Sequence, residues 1–281
     1  MDVGIGLPNA VPGTTGEQLT EWARRADARG FSTLGTIDRI VYGNYEPLVA
    51  LAAAAAVTER IGLSTSVLLG PLRENAAAVA KQSLSIHALS GGRMTLGIGL
   101  GGRDDDYELA EVAMDERGAA IDEMLSKIRE VWDHELVGPD VPDSPTLLVG
   151  GGVDASFARA AKYGDGWIAG GAPPDVFAEA AEKVKAEWSA AGREGEPRLA
   201  GLAYFSLGAD AEANANAYLT DYYAWLGEET ANFIANSAAK DAETVQTYLQ
   251  AFEGAGCDEL ILFPSASDPE QVDLLAEAAG V

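Results

Sequence analysis

Short apolar runs alternate with amphipathic stretches almost from one end of the chain to the other. VGIGL from residue 3 is followed by a helical pattern over Gly16 to Arg29, STLGTI from 32, a helical pattern around 46 to 59, IGLSTSVLL from 61, a helical pattern from about 75 to 89, and MTLGIGL from 94. The second half keeps the rhythm: a helix near 115 to 133, TLLVGG from 146, a helix from 154, GDGWIAGG from 164, a helix over 174 to 190, RLAGLAYFSLG from 198, a helical region over 210 to 255, DELILFP from 258 and a last helix. The apolar runs do not alternate cleanly with polar residues, as expected of parallel strands covered by helices on both faces. Eight such units in about 250 residues predict an α/β fold of the (β/α)8 TIM-barrel type.

No linker rich in Pro, Gly or Ser divides the halves, so residues 1–281 read as one domain. VGPDVPDSP (137–145) and AAGREGEPR (190–198) read as loops within it. The region 210–255, between the seventh and eighth strands, is longer than one helix needs. It contains the aromatic-rich YLTDYYAWLGEETANFIA, an insertion expected to help cover the barrel mouth.

Nineteen basic against 44 acidic residues give a formal charge of −25, a field that repels nucleic-acid backbones and anionic membrane surfaces. An anionic ligand therefore needs a local cradle. The single cysteine, Cys257, excludes an internal disulfide framework and fits a reducing, cytoplasmic setting. The alanine-rich run LVALAAAAAV is too short to span a bilayer.

In a barrel of this kind, chemistry gathers at the C-terminal ends of the strands and the loops behind them. That rule selects Asn9, Asp38 and Arg39, the stretch Ser66 to Arg73, the stretch Gly99 to Tyr107, Gly150 to Ser156, and Trp167 to Gly171. Gly150, Gly151 and Gly152 stand between a strand and a helix, where bare amides and the helix dipole suit a phosphate, and Ser156 could add a hydroxyl. SGGR (90–93) reads as a glycine-capped helix end, and Gly97 and Gly99 either let something flat approach the strand ends or merely fit a crowded barrel interior. The acids Asp104, Asp105 and Asp106 read as a charge run at a helix start. His87 and His134 read as structural or solvent-facing, and no spacing suggests a metal site or an activated nucleophile. Tyr42, Tyr45, Tyr222, Tyr223 and Trp225 are candidates for a substrate wall or for ordinary packing.

Taken in order, GLP, TIDR, STSVLLGPLRENAAAVAKQ, LSGGRMTLGIGLGGRDDDYELA, ERGAAIDEML, VGGG and YGDGWIAGG resemble the bacterial luciferase-like family of flavin and deazaflavin oxidoreductases. The resemblance implies a monooxygenase, or a reductase or dehydrogenase that transfers hydride, acting on a small organic substrate. It implies FMN or coenzyme F420 at the strand ends, with phosphate at Gly150 and Gly151. It further implies a bulge with a non-prolyl cis peptide at Ser66–Val67 against the ring, Asp38 near the ring's pyrimidine edge, and Ile98 and Gly99 beside it.

Where the family often has a histidine after that aspartate, this chain has Arg39, which stays protonated and suits holding an anionic ring or substrate better than shuttling a proton. Leu100 stands where the sugar-phosphate dehydrogenase branch has a catalytic glutamate, so that substrate is not expected, and Arg103 is the nearest candidate to point into the site. Through the same resemblance the chain is expected to be a homodimer, with the helices at 46–59 and 75–89 as an interface, and in the FMN case to draw on a separate flavin reductase. Two alternatives remain open: a non-catalytic flavin-binding paralogue, and a carboxylate- or metal-dependent barrel lyase or isomerase using Asp38 and the Asp104 to Asp106 cluster.

Overall fold

In the computed structural model, which describes residues 1–281, the apolar runs become the parallel strands β1 (Asp2–Gly6), β2 (Thr33–Thr36), β3 (Gly62–Thr65), β4 (Leu68–Leu69), β5 (Met94–Gly99), β6 (Thr146–Gly150), β7 (Gly166–Gly171), β8 (Arg198–Phe205) and β9 (Glu259–Pro264). They pair in the order β3-β2-β1-β9-β8-β7-β6-β5-β4, and an additional β3–β5 pairing closes the sheet into a barrel. The expected eight staves are present. A ninth segment arises because the third stave is interrupted at Ser66–Val67, whose peptide bond is cis. β3 therefore meets Met94 and Thr95, while β4 resumes beside Ile98 and Gly99.

The helices are α1 (Gly16–Arg29), α2 (Pro47–Ala55), α3 (Ala76–Leu89), α4 (Asp104–Leu109), α5 (Arg117–Trp132), α6 (Asp154–Tyr163), α7 (Pro174–Ala190), α8 (Ala211–Tyr222), α9 (Glu228–Ser237), α10 (Ala242–Gly254) and α11 (Glu270–Ala279). α2 stops earlier than its alanine pattern suggests. Asp27 on α1 accepts from the amides of Glu59, Arg60 and Ile61 and turns the chain into β3. The region 210–255 is three helices, broken at Gly227, whose φ of 88° favours glycine, and restarted at Asp241, which caps α10 by accepting from the Thr244 amide. α4 begins at Asp104, where the acidic run marks a helix start. SGGR closes α3 through positive φ at Gly91 and Gly92, and Arg93 then donates to Ser90 O, Thr58 Oγ1 and Ile61 O, riveting the end of α3 to the start of β3.

Strand alternation sorts the apolar side chains into two layers. Leu147, Val149, Trp167, Leu199, Leu260 and Leu262 face outward into the main core under the helices, whereas Leu148, Ile168, Ala200, Leu202, Ile261 and Phe263 face the barrel interior. That interior is lopsided. The Phe263 ring lies where a β-carbon on Gly6 or Gly35 would have to go, 2.7 Å away in the case of Gly35. Glycines on one wall thus make room for large side chains from the other. No helix is long and apolar enough to cross a membrane.

Candidate active site

At the C-terminal end of the barrel a cavity of about 530 Å³ runs from the interrupted third stave out between the starts of α6 and α7. Ser66, Val67, Gly99, Gly150, Gly151, Gly152 and Ser156 all border it, so seven of the expected cofactor positions converge on one space. Val67 forms part of its floor, and the glycines explain how. A β-carbon on Gly99 would sit 2.7 Å from Val67 Cγ2, and one on Gly150 would sit 2.8 Å from Val67 Cγ1. Gly97 yields likewise to the carbonyl of Thr65. The space left by Gly97 and Gly99 is thus filled by the neighbouring broken strand, as in a crowded interior, and the cavity lies above it.

The outer end of the cavity has the makings of an anion cradle. Gly151, with φ of 137°, leaves no room for a side chain against Ser156. Its carbonyl accepts from Trp167 Nε1 at 2.7 Å, which turns the Gly152 N–H of the same peptide the opposite way. That N–H has no acceptor within the protein, and a β-carbon on Gly152 would meet nothing within 4 Å. The first turn of the ten-residue α6 follows immediately. The Ser156 hydroxyl is engaged with Val153, accepting from its amide at 3.1 Å and donating to its carbonyl at 2.6 Å, so it shapes the loop. Arg117, at the start of α5, also borders the cavity and supplies a cation. It was missed as a site residue although it lies in ERGAAIDEML, because nothing local in that sequence says that α5 begins opposite the loop after β6.

These features fit a planar group with a phosphate tail. The floor is apolar and side-chain-poor, the outer end offers a free amide and a guanidinium, and Ser66 Oγ is buried on the wall without a hydrogen-bond partner. Such an orphaned polar atom in a native site is matched by a ligand or water.

The other expected site residues, Asp38, Arg39, Ile98 and Arg103, do not border the cavity. Asp38 is 3% exposed. Its Oδ2 accepts from the Leu69 amide at 2.9 Å and from Arg73 Nη2 at 2.6 Å, and Oδ1 has no partner. Arg39 is held by Asp106, Nε to Oδ2 at 2.8 Å, and donates from Nη2 to Val41 O, leaving Nη1 unpartnered. Its guanidinium lies over the rings of Tyr42 and Tyr222, 5.2 and 5.5 Å from their centroids. Arg103 grips Asp105 through Nε and Nη2 and lies over Trp225. Ile98 is fully buried and turns its side chain outward toward Gly70 and the main core, so only its backbone borders the barrel interior.

The DDD run does start a helix, α4, but its third member, Asp106, is buried. It is 1% exposed, and besides Arg39 it accepts from the amides of Ile40 and Val41. It thereby shapes the whole loop after β2. The carboxylates of Asp38 and Asp106 are occupied by different arginines, and no group of three His, Cys, Asp or Glu side chains is gathered as for a metal ion. His87 is buried, and its Nδ1 accepts from the Met94 amide at 3.3 Å. His134 accepts from Leu136 on an exposed turn.

The insertion closes the mouth from above. Tyr218 and Tyr222 of α8 pack with Tyr204 and Phe263 in the inner cluster, and Tyr42 stacks edge-on against Tyr222 with centroids 5.2 Å apart. The Tyr42 hydroxyl donates to Asp221 at 2.7 Å. Burial, first, and that carboxylate push its pKa well above the ordinary value. Of the expected substrate-wall tyrosines, Tyr222 and Tyr42 are thus packing elements of the cover, and Tyr223 pairs its hydroxyl with that of Tyr204 at 2.8 Å.

The sequence pattern of the luciferase-like monooxygenase family matches residues 1–278. An uncharacterized protein of Mycobacterium tuberculosis is 35% identical over 199 residues, covering 58% of this chain and 68% of that protein. An F420-dependent glucose-6-phosphate dehydrogenase of Amycolatopsis mediterranei is 31% identical over 180 residues, 53% of this chain and 52% of the relative, so the match spans about half of that enzyme's length. Among solved structures, an F420-dependent secondary alcohol dehydrogenase in complex with an F420-acetone adduct superposes with a TM-score of 0.83 at 18% identity, covering 99% of this chain and 98% of the other. The monooxygenase RslO1 of Streptomyces bottropensis superposes at 0.78 with 23% identity, covering 99% and 98%. At these identities the superpositions establish the shared fold.

Proposed function

The chain belongs to the luciferase-like monooxygenase family, and from that membership we propose that residues 1–281 act as one barrel domain holding FMN or coenzyme F420 across the Val67 floor, for oxidation or reduction of a small organic substrate. The observation that carries the reading is the single cavity joining Val67 at the broken stave to the free Gly152 amide and Arg117. When bound, either cofactor supplies the redox chemistry as a carrier of hydride, and reduced FMN also activates dioxygen.

The residues of the chain provide orientation and shelter. Gly152 N–H and Arg117 would hold the phosphate, offsetting the protein's overall negative field where an anion must sit. Val67 and the bare edges of Gly99 and Gly150 would set the height of the ring, and Ser66 Oγ would donate to a ring oxygen or nitrogen. Asp38, with Oδ1 unpartnered, and Arg39, with Nη1 unpartnered, stand on the neighbouring loop, available to the ring edge or to a substrate oxygen. Arg103 and Asp105 fasten the loop after β5 beneath the insertion, keeping water from the mouth. With FMN the chain would act as a monooxygenase fed by a separate flavin reductase; with F420 it would act as a two-electron dehydrogenase or reductase. A homodimer, through the alanine-rich faces of α2 and α3, and a cytoplasmic setting complete the reading.

Titration of the protein with FMN, reduced FMN and F420, followed by quenching of cofactor and tryptophan fluorescence, tests it. Saturable binding of at least one below about 100 µM is expected, and absence of binding by all three overturns it.

A further inference from the structure

A second cavity, of about 590 Å³, adjoins the proposed cofactor cavity at the end of β7. Gly170, Gly171 and Ala172 border both spaces. Here β7 bulges out of register with β8: Ile168 pairs with Ala200, but Gly171 already pairs with Leu202. A β-carbon on Gly170 would meet nothing within 4 Å, so the partition between the two cavities is a strip of almost naked backbone. The far wall is apolar, made by Leu202 of β8, by Leu226 just after α8, and by Phe233 and Ile234 of α9. None of its fifteen lining residues carries a charge.

The polar groups of this chamber are nearly all spent. Tyr248 donates to the Ser237 carbonyl, and Ser237 Oγ donates to the Ile234 carbonyl at 2.8 Å. Tyr204 and Tyr223 share one hydrogen bond between their hydroxyls at 2.8 Å. Two hydroxyls carry two hydrogens, and the shared bond uses one, so the pair has one O–H left to donate. Burial raises the pKa of both phenols, which keeps that hydrogen in place at any working pH.

Resting on the redox reading above, we infer that this chamber is the substrate site and takes an uncharged, largely apolar molecule bearing one acceptor oxygen, a ketone or alcohol, held by the Tyr204–Tyr223 pair. A carboxylate or phosphate ester would find no cation among these lining residues, inside a protein whose net charge of −25 already repels it. A saturated hydrocarbon would leave the one free O–H unsatisfied.

Three probes of one shape separate these cases: acetophenone, ethylbenzene, which lacks the acceptor, and 4-acetylbenzoate, which adds a charge. Binding to the whole protein without cofactor is measured by saturation-transfer-difference NMR titration. Acetophenone is expected to bind at least about tenfold more tightly than 4-acetylbenzoate. The double variant Tyr204→Phe/Tyr223→Phe, which removes both hydroxyls, is expected to weaken acetophenone roughly two- to tenfold, the loss of one hydrogen bond, and to leave ethylbenzene unchanged. Leu226→Arg, at a half-exposed position on the rim, is expected to reverse the preference toward 4-acetylbenzoate.

Equal binding of ketone and carboxylate, or a Tyr204→Phe/Tyr223→Phe effect that is the same for acetophenone and ethylbenzene, overturns the inference. Retention of the wild-type circular dichroism spectrum by both variants excludes misfolding as the cause. A protein that binds FMN or F420 but not acetophenone refutes the chamber assignment alone. One that binds acetophenone but no cofactor refutes the redox reading and with it the chamber's role as a substrate site.

Discussion

Arg39 Nε and Asp106 Oδ2 meet at 2.8 Å with their side chains 3% and 1% exposed, a buried ion pair joining the loop after β2 to the first turn of α4. Removing one partner of such a pair leaves an uncompensated buried charge, at a cost of about 3–5 kcal/mol. Asp106→Ala is therefore expected to lower unfolding free energy by about that amount, as read by urea denaturation, whereas exposed Asp104→Ala should stay within about 0.5 kcal/mol of wild type. Equal effects of the two substitutions would show that Asp106 is no hub.

Val67 and Gly99 should behave as a unit. Gly99→Ala forces a β-carbon to within 2.7 Å of Val67 Cγ2, and overpacking of this kind costs about 1–3 kcal/mol. Adding Val67→Ala removes the obstructing methyls, so the double variant should be more stable than the summed single effects by at least about 0.5 kcal/mol. Strict additivity in thermal and urea unfolding would refute the contact.

The phosphate end of the cavity makes a separate demand. Arg117→Ala should weaken the cofactor by about 1.5–3 kcal/mol, the worth of a charge-assisted hydrogen bond, or roughly ten- to 150-fold in Kd. Stability should change little, because Arg117 is partly exposed at the first residue of α5. An unchanged Kd in the quenching titration would remove Arg117 from the site.

Acid stability should report on His87. Burial, the largest influence, lowers its pKa from 6.5, and in the fold Nδ1 accepts from the Met94 amide, a bond that the neutral ring satisfies with its proton on Nε2. With the folded pKa below the unfolded one, the unfolded chain takes up the proton first. The stability that neutral His87 contributes is thus complete above pH 6.5 and is lost as pH falls from there through the folded pKa. His87→Gln should flatten that part of the stability-against-pH curve, measured by urea unfolding at stepped pH, and an unaltered slope would contradict the assignment.

Cys257 is 5% exposed, and burial pushes its thiol up to about 12. With so little thiolate and so little access, it should not react with iodoacetamide in the native protein at pH 8, and should react once the chain is unfolded in urea. Mass spectrometry of the two samples decides the point.

The sequence displays its strands well because each is apolar on both faces, and the barrel follows from their number and spacing. Helix ends were less legible: the apolar run continues through Ala56 and Val57 past the end of α2, and the loop that follows is held by Thr58, which donates to Ala54 O, and by Asp27, some thirty residues away. The glycines of β5 announced a close approach but not what approaches. Val67 comes from a break in the adjacent stave, and residues that meet through strand pairing leave no mark at fixed sequence spacing. Asp106 was hidden for the opposite reason. It looks identical to Asp104 and Asp105, and only the turn of α4 sends the third of the three inward to Arg39.

Gly170 carries a practical corollary for anyone wishing to redirect the enzyme. Its backbone lies outside the left-handed range and a β-carbon there would point into open space, so larger residues can be installed without disturbing the barrel. A graded series at this one codon would project side chains of rising size from the strip that borders both cavities.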